Sequence, residues 1–412
     1  MPERRALTAV VALAAALRLT YVLVYPQTAL CEDCRMYDEV AQHVAAGLGF
    51  VGGFGGETYH QPVVHDPNRP EIGIGPIFPT FLASIYRVAG HRADAVRVVQ
   101  AVVSAVTLIP LFGLVRSVLG SRAALRTSWV AAVYPPLIIY SGVVLTETLS
   151  TALLVFALWS VADAWECPGL YRCIRTGIVM GVAVLLREEF LAVFGAVAAL
   201  TIWRSTTTRS VVGVATVALV ALMTIAPWTI RNYRTFGRVI PVSAHGGDTL
   251  YLSVKGWTEW HFGDPELQRL SAMDDYLAQS DALRAAAFDE IRAHPLTVAA
   301  RRLVRFPDFW LSSHTANVSG IGDAWETYLA EGHYGILSIK FVLLVINCAA
   351  IAFGIVGLVR AARRASVDRA GILLLATPIA VIAAVHLVLF SAPRYQLPLL
   401  PFVLAGVGWL LA

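Results

Sequence analysis

Charge is scarce in this chain. Of 412 residues only 15% are Asp, Glu, Lys or Arg, while 57% are hydrophobic. A soluble protein carries about a quarter charged residues, so the shortage argues against an ordinary water-soluble enzyme. Nearly every basic residue is arginine, and there is no lysine-rich tract or aromatic-interleaved basic patch. Nucleic acid is therefore not an expected partner. A phosphate-cradling Gly-x-x-x-x-Gly-Lys loop is missing, as are a dinucleotide-binding fingerprint in its strand–glycine turn–helix setting, a His-Glu-x-x-His pattern and an Asp-x-Asp pair. A nucleotide donor is disfavoured by those absences. No internal repeat is visible. Cysteine is sparse, five in all, with one close pair, Cys31-x-x-Cys34. A disulfide there requires an oxidising compartment, and a zinc site requires further ligands; disulfide, free thiols and metal all stay open. Cys167 and Cys173 are expected to face the reducing cytoplasm.

Apolar runs of roughly 17–25 residues, the length that crosses a bilayer, recur throughout the chain. Cytoplasmic loops of membrane proteins carry an arginine excess. Oriented that way, the runs form about ten spans, with 6–25, 95–118, 144–165, 211–228 and 336–359 the clearest. Arg122, Arg172, Arg209 and Arg364 then mark inner loops. The first run could be a signal peptide, but Arg18 interrupts it and no small-x-small site follows cleanly, so it is read as a retained span. The expected fold is an all-α integral membrane protein with outer surface helices. A transmembrane catalytic module covers 1–228 and includes an outer loop, 26–94; an extracytoplasmic segment covers 229–335; the last spans lie in 336–412.

The outer segments have pattern of their own. Over 36–47, Met36, Tyr37, Val40, Ala41 and Val44 share one helical face, and Asp38, Glu39, Gln42 and His43 the other. Such a helix lies flat on a membrane. Gly47, Gly49, Gly52, Gly53, Gly55 and Gly56 follow as a flexible loop, and further helices are predicted over 77–88 and 277–293.

Polar residues gather just outside the spans, on one side of the membrane. Asp38 and Glu39 point about 100° apart on a helix, so they cannot share one job; a solvated polar face is the plain alternative. Glu147, in Leu-Thr-Glu-Thr-Leu, opens a span. An acid there is costly unless paired or wetted, although a helix N-terminus favours it. Arg69, Arg187, Arg231 and Arg394 are the candidate cations. Each alone could be an interfacial anchor, but several on one face suit a phosphate, which arginine grips with a bidentate fork.

The chain resembles the polyprenol-phosphate-sugar-dependent glycosyltransferases of the membrane GT-C superfamily. It is similar to the protein O-mannosyltransferase (glycosyltransferase family 39) and aminoarabinose transferase branch. The resemblance rests on Arg18-Leu19, Tyr37-Asp38-Glu39 and Arg69-Pro70, then on Thr146-Glu147 and Leu186-Arg187. Its most specific parts are Pro227-Trp228 with Arg231-Asn232-Tyr233 and Phe236-Gly237, and Arg394-Tyr395-Gln-Leu-Pro398. The resemblance implies transfer of a sugar from a polyprenyl-phosphate donor to a glycan, lipid or protein hydroxyl at the extracytoplasmic face. It implies Asp38 as catalytic carboxylate, with Glu39 and Glu147 as further acids. Arg69, Arg187, Arg231 and Arg394 would hold the donor phosphate, and Tyr37 and Tyr395 the substrate. No cofactor is required by it and no metal ligand set is named; a divalent metal and a retaining rather than inverting course both stay open. Arg187 departs from many relatives in being followed by Glu188-Glu189 rather than proline. A transporter or flippase of lipid-linked glycans is the alternative, for which mid-membrane polar residues and two related halves would speak.

Overall fold

The computed structural model describes residues 2–25, 30–52, 69–255, 265–271, 273, 275–365 and 367–412. Gly53, Gly55 and Gly56 of the expected glycine loop lie outside the described residues. The chain forms helices α1 (Pro2–Val24), α2 (Glu32–Ala45), α3 (Ile77–Ala89), α4 (Ala93–Val106), α5 (Leu108–Leu119), α6 (Ser121–Val133), α7 (Pro135–Ile139), α8 (Glu147–Glu166), α9 (Leu170–Leu186), α10 (Phe190–Arg204) and α11 (Thr208–Phe236). After α12 (Gly246–Lys255) come α13 (Pro265–Ser271), α14 (Tyr276–Ala293), α15 (Pro295–Arg305), α16 (Pro307–Trp310) and α17 (Trp325–Ala330). The C-terminal part holds α18 (Tyr334–Ala362), α19 (Arg369–Val388), a 3-10 segment (Pro393–Leu399) and α20 (Leu400–Leu410). Among the described residues, the isolated pairing of extended chain is an antiparallel bridge, Val51 with Pro70.

This is an all-α integral, multi-pass membrane protein. Among the described residues, six stretches are long and apolar enough to cross a bilayer: Glu3–Val24, Ala93–Leu119, Glu147–Glu166, Thr208–Phe236, Tyr334–Ala362 and Arg369–Val388. The other expected spans fall on shorter helices, α6 with 13 residues, α9 with 17, α10 with 15 and α20 with 11. Length and composition therefore do not by themselves establish ten. Lipid supplies no hydrophobic drive between helices, so small residues at crossings matter. Gly177 and Gly181 of α9 lie against Val217, Val220 and Thr224 of α11, where any Cβ would collide. Gly357 of α18 lies against the backbone of Gly406 in α20 in the same way.

At one end of the bundle, side chains fix the loops that carry the candidate residues. Arg97 of α4 donates to the carbonyls of Tyr25 at 2.5 Å and Gly142 at 2.8 Å, holding the end of α1 to the turn before α8. Arg302 of α15 donates to the carbonyls of His386, Leu387 and Leu389, taking up acceptors that the end of α19 leaves open. The motif opened by Pro227-Trp228 is a latch. Trp228 donates to Val242 O at 2.7 Å and Asn232 to Ile240 O at 2.9 Å, so the chain folds back on α11 as it leaves the span. Gly237 makes that reversal with φ +68°, a conformation side chains resist. Arg122, Arg360 and Arg364 share one cleft, at the bundle end set by the α5–α6 and α18–α19 turns.

Helix α2 differs from its expected lie. The pattern puts Asp38 on the polar face of α2, yet it is only 7% exposed, turned with Cys34, Val40 and Ala41 into the protein. The reason is α3: Ala41 packs with Phe78, Leu82 and Tyr86 in one apolar cluster, and Asp38 follows into that seam.

Candidate active site

Four segments distant in sequence meet beside α2. Arg187 stands in the three-residue turn from α9 to α10, in extended conformation. Its Nη2 donates to Glu147 Oε1 at 3.1 Å and its Nη1 to Glu189 Oε1 at 3.1 Å. Glu147 begins α8, where the helix dipole favours a carboxylate, and it is 1% exposed. Arg394 reaches the same carboxylate, Nε to Oε1 at 3.7 Å, and donates directly to Asp33. Both guanidiniums lie on the ring of Tyr395, Arg187 at 4.9 Å and Arg394 at 5.2 Å from its centre. His386 stacks on that ring, 4.7 Å away, and pairs with Glu189 Oε2 at 3.0 Å. The Arg394 segment is held by Gln396, which donates to Phe309 O and contacts His314 at 2.9 Å.

The charges are matched rather than stray. Burial alone would raise the Asp33 carboxyl, but the charge and hydrogen bond of Arg394 outweigh it and hold the group below its ordinary value. Burial likewise opposes ionisation of Glu189, yet Arg187 and His386 bring it down to about 2. His245, just before α12, faces the cluster from the segment that follows α11. Burial disfavours its proton, but the bond to Asp248, with Asp33 and Glu188 beyond, holds the proton above the usual imidazole value. Asp248 Oδ2 lies 3.3 Å from His245 Nδ1 and also accepts from Tyr276 at 2.8 Å.

Of the residues expected from sequence, Glu147, Arg187, Arg394 and Tyr395 come together, and Tyr37 lies close enough to feel the charges of Arg187, Arg394, Glu147 and Asp33. Asp38 is elsewhere. It accepts from Tyr86 at 2.5 Å, Gln42 at 2.8 Å and His91 at 2.9 Å, which tie α2 to α3. Asp33 and Asp38 are five residues apart, about 140° around a helix, whereas Tyr37, four residues on, shares the side of Asp33. Glu39 sits against the backbone of Gly52 and beside His43. Arg231 donates to Glu71 O at 2.7 Å and Phe50 O at 3.0 Å and stacks on Trp228, so it fastens the loop between α2 and α3 to α11. Arg69 lies next to the Val51–Pro70 bridge, where its carbonyl accepts from Gly52 at 2.9 Å. Asp33, Glu189, His245 and His386 were not singled out from sequence. The signal for Asp33 was its i,i+4 relation to Tyr37.

Among the described residues no group of three or more His, Cys, Asp or Glu side chains is arranged to hold a metal ion. Asp33, Glu147 and Glu189 each face an arginine rather than one another.

The family model described as dolichyl-phosphate-mannose-protein mannosyltransferase matches residues 69–230. No curated protein sequence matches the chain. The structure of the oligosaccharyltransferase AglB from Archaeoglobus fulgidus, in complex with an inhibitory peptide and a dolichol-phosphate, is similar with a TM-score of 0.56 and 12% identity, over 98% of this chain and 50% of that one. The same enzyme in complex with Zn and sulfate gives 0.55 and 13%, over 97% and 48%. ArnT from Cupriavidus metallidurans bound to undecaprenyl phosphate gives 0.49 and 13%, over 97% and 76%. This chain spans about half the length of AglB.

Proposed function

We propose that this chain, whose fold is similar to that of AglB and whose residues 69–230 match the dolichyl-phosphate-mannose-protein mannosyltransferase model, is a membrane glycosyltransferase of the GT-C superfamily that carries out the following reaction. The protein transfers a sugar from a polyprenyl-phosphate-linked donor to an acceptor hydroxyl at the extracytoplasmic face, with Asp33 as the base. The observation that carries this reading is the convergence of Arg187 and Arg394 on Glu147, with Glu189 bracing Arg187 and Arg394 pairing in addition with Asp33, at one end of the bundle. The two kinds of group suit the two halves of the reaction.

A polyprenyl phosphate is a good leaving group. As the bond from the anomeric carbon to phosphate oxygen breaks, charge grows on the phosphate, and Arg394 and Arg187 can take it up by charge-assisted hydrogen bonds. The acceptor hydroxyl is a poor nucleophile. Asp33 orients it and receives its proton as the new carbon–oxygen bond forms. Arg394, which pairs with Asp33 beforehand, keeps that carboxyl ionised and couples the two events: when phosphate draws the guanidinium, the carboxylate becomes a stronger base. Tyr395 supplies a flat, half-buried platform beneath both arginines. In-line attack inverts the anomeric centre.

The transport alternative has less support. Arg18, the charged residue deep in α1, donates to Ser104 at 2.8 Å and to the carbonyls of Ala132 and Ala131 at 2.9 and 3.1 Å, so it is spent on packing. The test is direct: purified protein is given a synthetic polyprenyl-phosphate sugar and cell-envelope acceptors, and products are read by mass spectrometry beside the glycans of cells with and without the gene. Donor consumption with a glycosylated product supports transfer. Movement of intact donor across a bilayer without bond cleavage supports transport instead.

A further inference from the structure

The carboxylate proposed as base lies inside a covalent ring. Cys31 and Cys34 form a disulfide, and Asp33 is one of the two residues between them. The ring closes over the start of α2: Cys31 is the residue before the helix, and its Sγ accepts from Cys34 N at 3.2 Å. Cys34 is fully buried in the main apolar core, with Cys31 packed against that core.

The position matters because a helix is weakest at its first turn. Its leading N–H groups have no partner within the helix, and ends open at little free-energy cost. Ser, Thr, Asp or Asn at the cap normally corrects this; here the cap is Cys31. Asp33 sits in that first turn, yet it must hold its carboxylate on Arg394, a residue 361 positions away in the chain. We infer that the Cys31–Cys34 disulfide is a positioning element for Asp33, keeping the first turn of α2 wound so that the carboxylate stays between Arg394 and the acceptor. The inference rests on the reading of Asp33 as base. A ring this small removes little freedom from the unfolded chain, so its effect is local rather than on global stability.

The test uses the full chain in lipid nanodiscs. A water-soluble phosphine reduces the disulfide to two thiols and is itself oxidised to the phosphine oxide; oxidised glutathione reverses the change. On reduction, amides of the first turn of α2 should lose hydrogen-exchange protection while α8 and α9 keep theirs. The turnover rate should fall about 10–100-fold, the scale of a misplaced catalytic group, with donor KM and thermal midpoint nearly unchanged. The acid limb of the turnover–pH profile should move upward, because Asp33 leaves Arg394. Arg187 and His245 also face Asp33, but they stay in place. Reoxidation should restore all of these. The variant Cys31→Ala/Cys34→Ala, which adds no capping hydroxyl, should remain at the reduced level and ignore the phosphine, which assigns the effect to this pair rather than to Cys167, Cys173 or Cys348. Unchanged exchange and turnover on reduction would overturn the inference, as would equal sensitivity in the double variant. An oxidised enzyme with no transfer from any polyprenyl-phosphate sugar would sink the proposed function instead, and the exchange measurement would still decide whether the disulfide holds the turn.

Discussion

Arg394→Ala separates a phosphate-binding arginine from a structural one. The side chain donates to Asp33, stands 3.7 Å from Glu147 and covers Tyr395. Its loss has two effects of different size. In the ground state, Glu147 keeps Arg187 at 3.1 Å. Asp33 loses its direct partner, but its side chain is 33% exposed and water can replace part of the bond. A stability loss of about 1–3 kcal/mol follows, the range for a hydrogen bond lost from a partly buried group. In the transition state the loss is larger, because a preorganised donor to developing charge contributes about 2.7–4 kcal/mol, or 10²–10³ in rate. The assay is initial rate against donor concentration with a synthetic polyprenyl-phosphate sugar, beside thermal unfolding in the same nanodisc. Arg394→Lys should recover stability but only part of the rate, since the fork geometry is lost. The acid limb of the Ala variant should rise, because burial then acts on Asp33 against only the weaker pull of His245 and Arg187. A Lys variant equal to the parent in rate would show an anchoring role and refute the reasoning.

Arg231→Ala should destabilise the protein by about 1–3 kcal/mol by freeing the Phe50 and Glu71 carbonyls, while residual folded enzyme keeps its donor KM; a rise in donor KM at full stability would place it on the phosphate. Glu189 titrates at about 2 in the fold against an ordinary 4.5. Its depressed value means it stabilises the fold above pH 4.5 and loses that contribution as pH falls toward 2; Glu189→Gln should flatten this part of the melting profile, and an unchanged profile would contradict the pairing. Introduced cysteines near Arg364 should resist an impermeant reagent in intact cells and those near Asp281 should react; the reverse pattern would invert the topology.

The spans were legible because apolar runs of membrane length and arginine bias are local signals, and the helices at Glu147–Glu166, Thr208–Phe236 and Tyr334–Ala362 follow them. Individual motif residues were legible too: Glu147, Arg187, Arg394 and Tyr395 come to one place. What sequence could not supply was which acid on α2 faces them. Asp38 and Glu39 stand out as an adjacent acidic pair, but Tyr86 and His91, some 50 residues on, claim Asp38. Asp33 is hidden within Cys31-Glu-Asp-Cys34, and only the arrival of Arg394 from the far end of the chain gives it a role. Arg231 misled in the opposite sense: a guanidinium beside a span looks like a phosphate ligand, yet its partners are backbone carbonyls that no side-chain pattern records.

The most direct measurement compares Asp33→Asn with Asp38→Asn in transfer from a defined polyprenyl-phosphate sugar, with folding followed alongside. Asp33→Asn should fold like the parent and lose about 10²–10⁴ in turnover, the contribution of a general base. Asp38→Asn should lose about 1–3 kcal/mol of stability, the cost of an imperfectly satisfied buried group, and retain turnover in the folded fraction. An active Asp33→Asn enzyme beside a folded but inactive Asp38→Asn enzyme would contradict the account.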